Sequence, residues 1–251
     1  TDLITIISMD HDDLGNGYFQ GGFGGTADLD PSPNTANFTA NGGRDVFILK
    51  LDPNGNFSWV RQMGSNSAAS DYGHRIHIGP NNEVYSCGSF QGSGDFDPGS
   101  GTTILTAVGS NDLYLHKMDA NGAFEWAYAM GGPTEDETYD IATDMLGDVY
   151  FTGYFSGTTD FDPGAGTANL TAGGDNDIFL LKLTPSGSYV WAEQFGANGS
   201  DIGESVKIDI NGNIYAGGRF RSTADFDPGA ATANLTAIGS WDVYQLKLSQ
   251  C

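Results

Sequence analysis

Across 251 residues, 32 Asp and Glu stand against only 10 Lys and Arg, a net charge of −22 at neutral pH. Nucleic acid or an anionic membrane surface would be repelled over most of such a chain, whereas cations and basic partners are its natural complement. Thirty-seven glycines, 15 phenylalanines and 11 tyrosines describe a turn-rich β protein and not a helical one, and no apolar run approaches the roughly 20 residues that cross a bilayer as a helix, so no membrane insertion is expected.

The chain repeats itself. Tyr18, Tyr85, Tyr150 and Tyr215 mark the frame at steps of 67, 65 and 65 residues, and the acidic segments Asp28-Leu-Asp-Pro, Asp95-Phe-Asp-Pro-Gly, Asp160-Phe-Asp-Pro-Gly and Asp225-Phe-Asp-Pro-Gly recur at the same steps. One supersecondary unit used four times fills the length. This predicts a single domain over residues 1–251, with units at about 1–66, 67–132, 133–197 and 198–251.

In chain order, the first unit opens on a strand that ends at Asp10. The turn Asp10-His-Asp-Asp-Leu-Gly-Asn follows, two residues longer than Asp209-Ile-Asn-Gly-Asn at the same place, and it reads as a solvated hairpin. A second strand runs through Tyr18, a third begins at Asp45, and Asn54-Gly55 leads into a fourth through Trp59. The second unit repeats this with Asn121-Gly122 and Trp126, and the third with Ser186-Gly187 and Trp191. The fourth carries Asn211-Gly212 between its first two strands and stops after Asp242-Val-Tyr-Gln-Leu-Lys-Leu, without the Gly-x-Phe-x-Trp strand. Such dipeptides accept the positive φ of tight hairpins. Strands apolar on both faces, such as Phe179-Leu-Leu-Lys-Leu, suit sheets covered on both sides. A four-stranded meander repeated around an axis is a propeller blade. The expected fold is all-β, a β-propeller of four blades of about 65 residues, each a four-stranded antiparallel meander, the last lacking its outer strand. That strand's absence exposes an edge, and exposed edges invite pairing with another chain, so a homo-oligomer through the open blade is an expectation.

Several positions bear on chemistry. Asp28 and Asp30, Asp95 and Asp97, Asp160 and Asp162, and Asp225 and Asp227 alternate along extended segments, so each pair presents two carboxylates to one side. Hard oxygen ligands of this kind suit Ca²⁺, with carbonyls and water completing the shell. An Asp before Pro-Gly is also an ordinary turn signal, which accounts for the second Asp of each pair and leaves the first over. Asp45, Asp112, Asp177 and Asp242 open the third strands, with Lys50, Lys117, Lys182 and Lys247 five residues on; a repeated ion pair or hydrogen-bonded Lys between blades is expected. Trp59, Trp126 and Trp191 read as packing residues. Trp241 breaks the pattern: it replaces Arg44, Asn111 and Asn176 before the third strand, where an indole can stack on a sugar or an aromatic partner or simply pack locally. His74 and His77, three apart in a strand, fall on opposite faces and do not share a metal. No Gly-x-Ser-x-Gly or His-Glu-x-x-His occurs. The sequons at Asn37, Asn56, Asn169, Asn198 and Asn234 read as strand and turn residues, and the pairing of Cys87 and Cys251 stays open.

The motif string Ile208-Asp-Ile-Asn-Gly-Asn-Ile-Tyr-Ala-Gly-Gly, the Asp-Phe-Asp-Pro-Gly loop, Asn-Leu-Thr-Ala, Asp-(Val/Leu/Ile)-(Phe/Tyr)-x-x-Lys-(Leu/Met) and Gly-x-(Phe/Tyr)-x-Trp-x-x-x-(Met/Phe)-Gly resembles the bacterial β-propeller repeat called the SBBP repeat, over essentially residues 1–248. The Phe-Asp-Pro-Gly variety is similar to repeats of secreted or surface proteins of the Bacteroidetes type. That resemblance implies an exported protein at a bacterial surface and no established catalytic activity. The expected function is a non-enzymatic binding or display module, stabilised by Ca²⁺, whose ligand is a glycan or a protein. Two other classes stand beside it: a structural component that assembles through its incomplete blade, and a polysaccharide hydrolase or lyase. The last needs two unlike carboxylates, for which Glu135, Glu137 and Glu204 are candidates outside the repeated set.

Overall fold

The computed structural model describes residues 4–229 and 231–249; Cys251 and the first three residues of the expected opening strand lie outside them. Every regular element among the described residues is a β-strand. The first repeat forms β1 (Thr5–His11), β2 (Gly17–Phe23), β3 (Asp45–Leu51) and β4 (Phe57–Ser65), hydrogen-bonded in that order as an antiparallel meander. The second forms β5 (Tyr72–Ile78), β6 (Val84–Phe90), β7 (Asp112–Met118) and β8 (Phe124–Met130) in the same order. The third forms β9 (Glu137–Thr143), β10 (Val149–Phe155), β11 (Asp177–Leu183) and β12 (Tyr189–Ala197). Among the described residues the meander of the fourth has three strands, β13 (Ile202–Ile208), β14 (Ile214–Phe220) and β15 (Asp242–Leu248), with β15 paired on one side only. These are the meanders of propeller blades.

Turn chemistry sets the register. Gly15, Gly147 and Gly212 take φ of 83°, 84° and 79° between first and second strands, and at the same place in the second repeat Asn82 takes 63°. Only Gly and Asn enter that region at little cost. An Asp closes three of these turns from within: Asp12, Asp144 and Asp209 each accept two backbone N–H bonds across the hairpin. Each first strand then bulges against the second, at Ile6/Ser8, Gly73/Arg75, Thr138/Asp140 and Gly203/Ser205. The bulge bears on the ground of one expectation, the separation of His74 from His77. Strict alternation would separate His74 and His77, but His74 is the extra residue, so alternation does not apply across it. His77 Nδ1 lies 3.3 Å from Asp10 Oδ2, while His74 stacks beside Tyr72.

Every repeat also contains a small hairpin that the sequence pattern did not announce. Thr26–Asp28 pairs with Asn37–Thr39, Ser93–Asp95 with Ile104–Thr106, Thr158–Asp160 with Asn169–Thr171, and Thr223–Asp225 with Asn234–Thr236. The end of β4 pairs with the second repeat's hairpin through Gly64 and Asp95, and the end of β12 with the fourth's through Gly196 and Asp225.

The chain divides into two compact units, one of Thr1–Ala107 with Leu113–Ala129, the other of Val108–Asp112 with Met130–Cys251. In the first, Tyr18, Val46, Ile48 and Met63 of one repeat bury against Ile76, Val84, Phe90 and Phe96 of the next. In the second, Tyr150, Ile178, Leu180 and Phe195 bury against Val206, Ile214, Phe220 and Phe226. Strands with apolar faces toward a neighbour follow from this stacking within each unit, because one face meets the adjoining repeat. The aromatic residue inside three of the acidic segments is buried: Phe96 and Phe226 join these cores, and Phe161 is fully buried with its ring centroid 5.3 Å from Phe155, while the first segment has Leu29 at this place.

Candidate ligand-binding site

The paired carboxylates of the acidic segments sit at the mouths of the small hairpins. The first Asp, which a turn signal alone left over, bridges the loop: Asp95 Oδ1 accepts from the N–H of Asp97 and of Thr103, Asp160 Oδ1 from Asp162 and Ala168, and Asp225 Oδ1 from Asp227 and Ala233. Asp28 does the same with Asp30 and Ala36. The second Asp caps one residue pair further on, Asp30 to Ser32, Asp97 to Gly99, Asp162 to Gly164 and Asp227 to Gly229. The backbone N–H groups of Asp227 and Ala233 hold Asp225 below the usual carboxylate range. Each pair thus spends one oxygen per carboxylate on its own loop. Among the described residues no group of three or more His, Cys, Asp or Glu is placed to hold a metal ion, so any cation at these loops would draw on two carboxylates with carbonyls and water.

The repeated lysines do not pair with the Asp that opens their own strand. Register sets Lys50, Lys182 and Lys247 opposite Tyr18, Tyr150 and Tyr215, and the ammonium groups lie 4.8, 5.0 and 5.3 Å from those rings; Lys117 lies 5.3 Å from Tyr85. Trp59, Trp126 and Trp191 stand against the same tyrosines at about 6 Å, which confirms their packing role. Lys50 reaches the next repeat by donating to the Ala120 carbonyl at 3.0 Å, whereas Lys117 and Lys182 pair with Glu125 and Asp148 of their own repeats at 2.9 Å.

The Asp that opens each third strand belongs to a different constellation. Asp45, Asp112 and Asp177 are buried, and so are Asp71, Asp136 and Asp201, which precede the first strand of the following repeat. Asp45 accepts from Asn41 N–H and Gln62, Asp112 from Val108 and Gly109 N–H, and Asp177 from Gly173 N–H and Gln194. Asp71 accepts from Ser65, Asp136 from Gly132 and Ser156, and Asp201 from Arg221 N–H. Burial outweighs the hydrogen bonds these two carboxylates accept and, with a smaller push from the like charge of Asp45 and Asp112, raises Asp71 and Asp136 to about 6. Asp71, Asp136 and Asp201 recur at steps of 65, a signal present in the sequence that the landmark Tyr and Asp-Pro-Gly motifs overshadowed.

The fourth repeat departs from the other three around Trp241. The indole is half-buried, and two guanidinium groups lie over it, Arg221 at 4.1 Å and Arg219 at 4.8 Å. Arg219 projects from β14, opposite Ile202 on one side and Val243 on the other. Its Nε is 3.2 Å from Glu204, the bulged residue of β13. Arg221 follows β14, its N–H held 2.9 Å from buried Asp201, just before Ser222 at φ 60°. The equivalent positions hold Gly22, Ser89 and Tyr154 for Arg219, and Gly24, Gln91 and Ser156 for Arg221. Sequence reasoning found the Trp and missed the arginines, because two single charges in a strand and a loop carry no periodic mark. Of the enzyme candidates, Glu204 is spent on Arg219, Glu135 on Asn111 and Glu137 on Tyr139. His116 is fully buried and pushed down to about 3 by that burial.

Comparison with known proteins matches the geometry. A family model described as SBBP, a β-propeller repeat, matches residues 190–219, from the outer strand of the third repeat to β14 of the fourth. The chain is 23% identical over 180 residues to the uncharacterized WD repeat-containing protein L264 of Acanthamoeba polyphaga mimivirus, covering 67% of this chain and 13% of that protein. It is 22% identical over 216 residues to the regulatory protein FlaEY of Caulobacter vibrioides, covering 81% of this chain and 22% of that one. The chain therefore spans less than a quarter of the length of either relative.

Proposed function

We propose that this chain, a β-propeller repeat protein of the SBBP type, is a non-catalytic binding or display module at a bacterial surface, and that its ligand, a glycan or a protein, contacts the fourth repeat at Trp241. The observation that carries the reading is the break in equivalence. Three repeats place Arg44, Asn111 and Asn176 at this position, and the fourth places a half-buried indole flanked by two arginines. Repetition favours scaffold over catalysis elsewhere, because the acidic groups recur in nearly identical surroundings while an acid–base pair needs two unlike ones. Function on a repeat scaffold sits where one copy departs from the rest. A glycan and protein array probed with the wild type and with Trp241→Ala tests this: a ligand lost with the indole is expected, and a ligand indifferent to it would place recognition elsewhere.

A second reading rests on β15, which among the described residues is hydrogen-bonded on one side only and presents Val243 at 84% exposure. Edge pairing through β15 would make the protein an assembly component. Light scattering over a concentration series separates the two readings, since edge assembly requires a mass that grows with concentration and falls back with Val243→Lys.

A further inference from the structure

We propose that Arg221, Arg219 and Trp241 form a site for a sugar that carries a single carboxylate, a uronic acid at the end of a glycan. This deepens the reading of Trp241 as the ligand face and depends on it. In a chain with 32 acidic side chains and 10 basic ones, Lys117, Lys182, Lys207 and Arg219 pair with carboxylates, while Lys50 and Arg61 lie on rings and donate to backbone carbonyls. The Arg221 guanidinium makes no ion pair among the described residues. It is instead held over an indole at 4.1 Å, with its own backbone N–H anchored on buried Asp201.

An exposed guanidinium oriented by an aromatic ring offers a preformed fork that matches a carboxylate. The half-buried indole, partly overlain by the two arginines, offers its remaining exposed surface as an apolar contact for a pyranose ring. Arg219, tied to Glu204 with both side chains about half exposed (46% and 49%), adds positive potential at the edge of the same site. Glu204 in turn bars a second anionic group there. The charge of the whole chain limits the ligand in the same direction: a polyanionic polymer meets repulsion along most of the surface, whereas one carboxylate on an otherwise neutral sugar meets only the local arginines.

Titration of the protein with methyl β-glucuronide and methyl β-glucoside, followed by NMR shifts of the Trp indole N–H signals, tests the assignment, because the two sugars differ only at the carboxylate. The glucuronide is expected to bind about tenfold more tightly. Arg221→Ala is expected to reduce it to the level of the glucoside, Arg221→Lys to recover part of the difference, and Trp241→Ala to remove both, with melting curves confirming that each variant is folded. Equal binding of the two sugars, both lost with Trp241→Ala, would overturn the carboxylate assignment and leave the Trp241 reading standing. Acetate competing as strongly as the glucuronide would overturn the sugar. Neither sugar binding would overturn the proposal, and if no array ligand responds to Trp241→Ala the broader reading falls with it.

Discussion

Asp45, Asp71, Asp112, Asp136 and Asp177 are withdrawn from water, and none makes an ion pair among the described residues. Uncompensated buried carboxylates hold protons more tightly in the native state than in the unfolded chain. With Asp71 and Asp136 at about 6 when folded and near 4 when unfolded, the stability they contribute is present in full below the unfolded value. It is lost as the pH rises through 6. Each group accounts for on the order of 1–3 kcal/mol between those limits. Asp52 and Asp209 act oppositely: hydrogen bonds from Asn56 and Asn213 hold them below the usual range, so their contribution is lost as the pH falls through their folded values. Melting curves from about pH 2.5 to 8 should therefore rise on acidification from neutral to about pH 5 and turn down below about pH 4. Asp136→Asn should flatten the upper limb, and a melting point constant between pH 5 and 7.5 would contradict the account. Packing gives a second prediction. A Cβ on Gly131 would lie 2.7 Å from both oxygens of Asp112, whereas one on Gly55 would meet nothing within 4 Å. Gly131→Ala should cost about 1–3 kcal/mol from overpacking, and Gly55→Ala about 1 kcal/mol from its φ of 79° alone.

At the level of elements, the small acidic hairpin is the part of the repeat with most to explain. Its strands are three residues long, and each copy adds a hydroxyl pair across them, Thr26 with Thr39, Ser93 with Thr106, Thr158 with Thr171 and Thr223 with Thr236, at 2.8–2.9 Å. The loop is closed by the first Asp. Asp160→Ala removes the acceptor for two N–H groups and should cost about 1–3 kcal/mol, against about 1 kcal/mol for Asp162→Ala, which removes one; urea midpoints of the two variants read the order, and equal losses would dismiss the bridging role. Much of this architecture was legible. Tyr18, Asn54-Gly55 and the Asp-Phe-Asp-Pro-Gly segments gave the repeat and its strands, because period and turn chemistry are local properties. The hairpin was not, since Asn169-Leu-Thr is too short to show alternation and looks like a loop until its partner Thr158–Asp160 is known. Asp71 with Asp45, and Arg221 with Trp241, were hidden as pairs: each is made by the fold from residues 26 and 20 positions apart, and although Asp45 and Trp241 stood out in the sequence, their partners did not.

For the whole molecule, charge decides the response to solution conditions. A net −22 disfavours the compact state through self-repulsion, which salt screens over about 10 Å at 0.1 M. NaCl should raise the melting point modestly, and CaCl₂ at matched ionic strength should raise it further if the Asp-x-Asp loops take the ion. Two carboxylates per loop place the half-effect in the 10⁻⁴–10⁻³ M range of about millimolar extracellular sites. Equal responses to Ca²⁺, Mg²⁺ and Na⁺ would reduce the loops to turns.

The strand pairs Gly64 with Asp95 and Gly196 with Asp225 mean that the unit of sequence is not the unit that can be lifted out. These two outer strands, of the first and third repeats, are each completed by a hairpin lying some thirty residues into the following repeat, like a brick laid across the joint below it. A gene fragment trimmed at residue 66 or 197 would carry a torn edge, whereas one ending just after Thr106 or Thr236 would keep the seam whole. Shuffled or transplanted copies of this repeat should therefore be cut after the hairpin, out of phase with the period that the eye finds first.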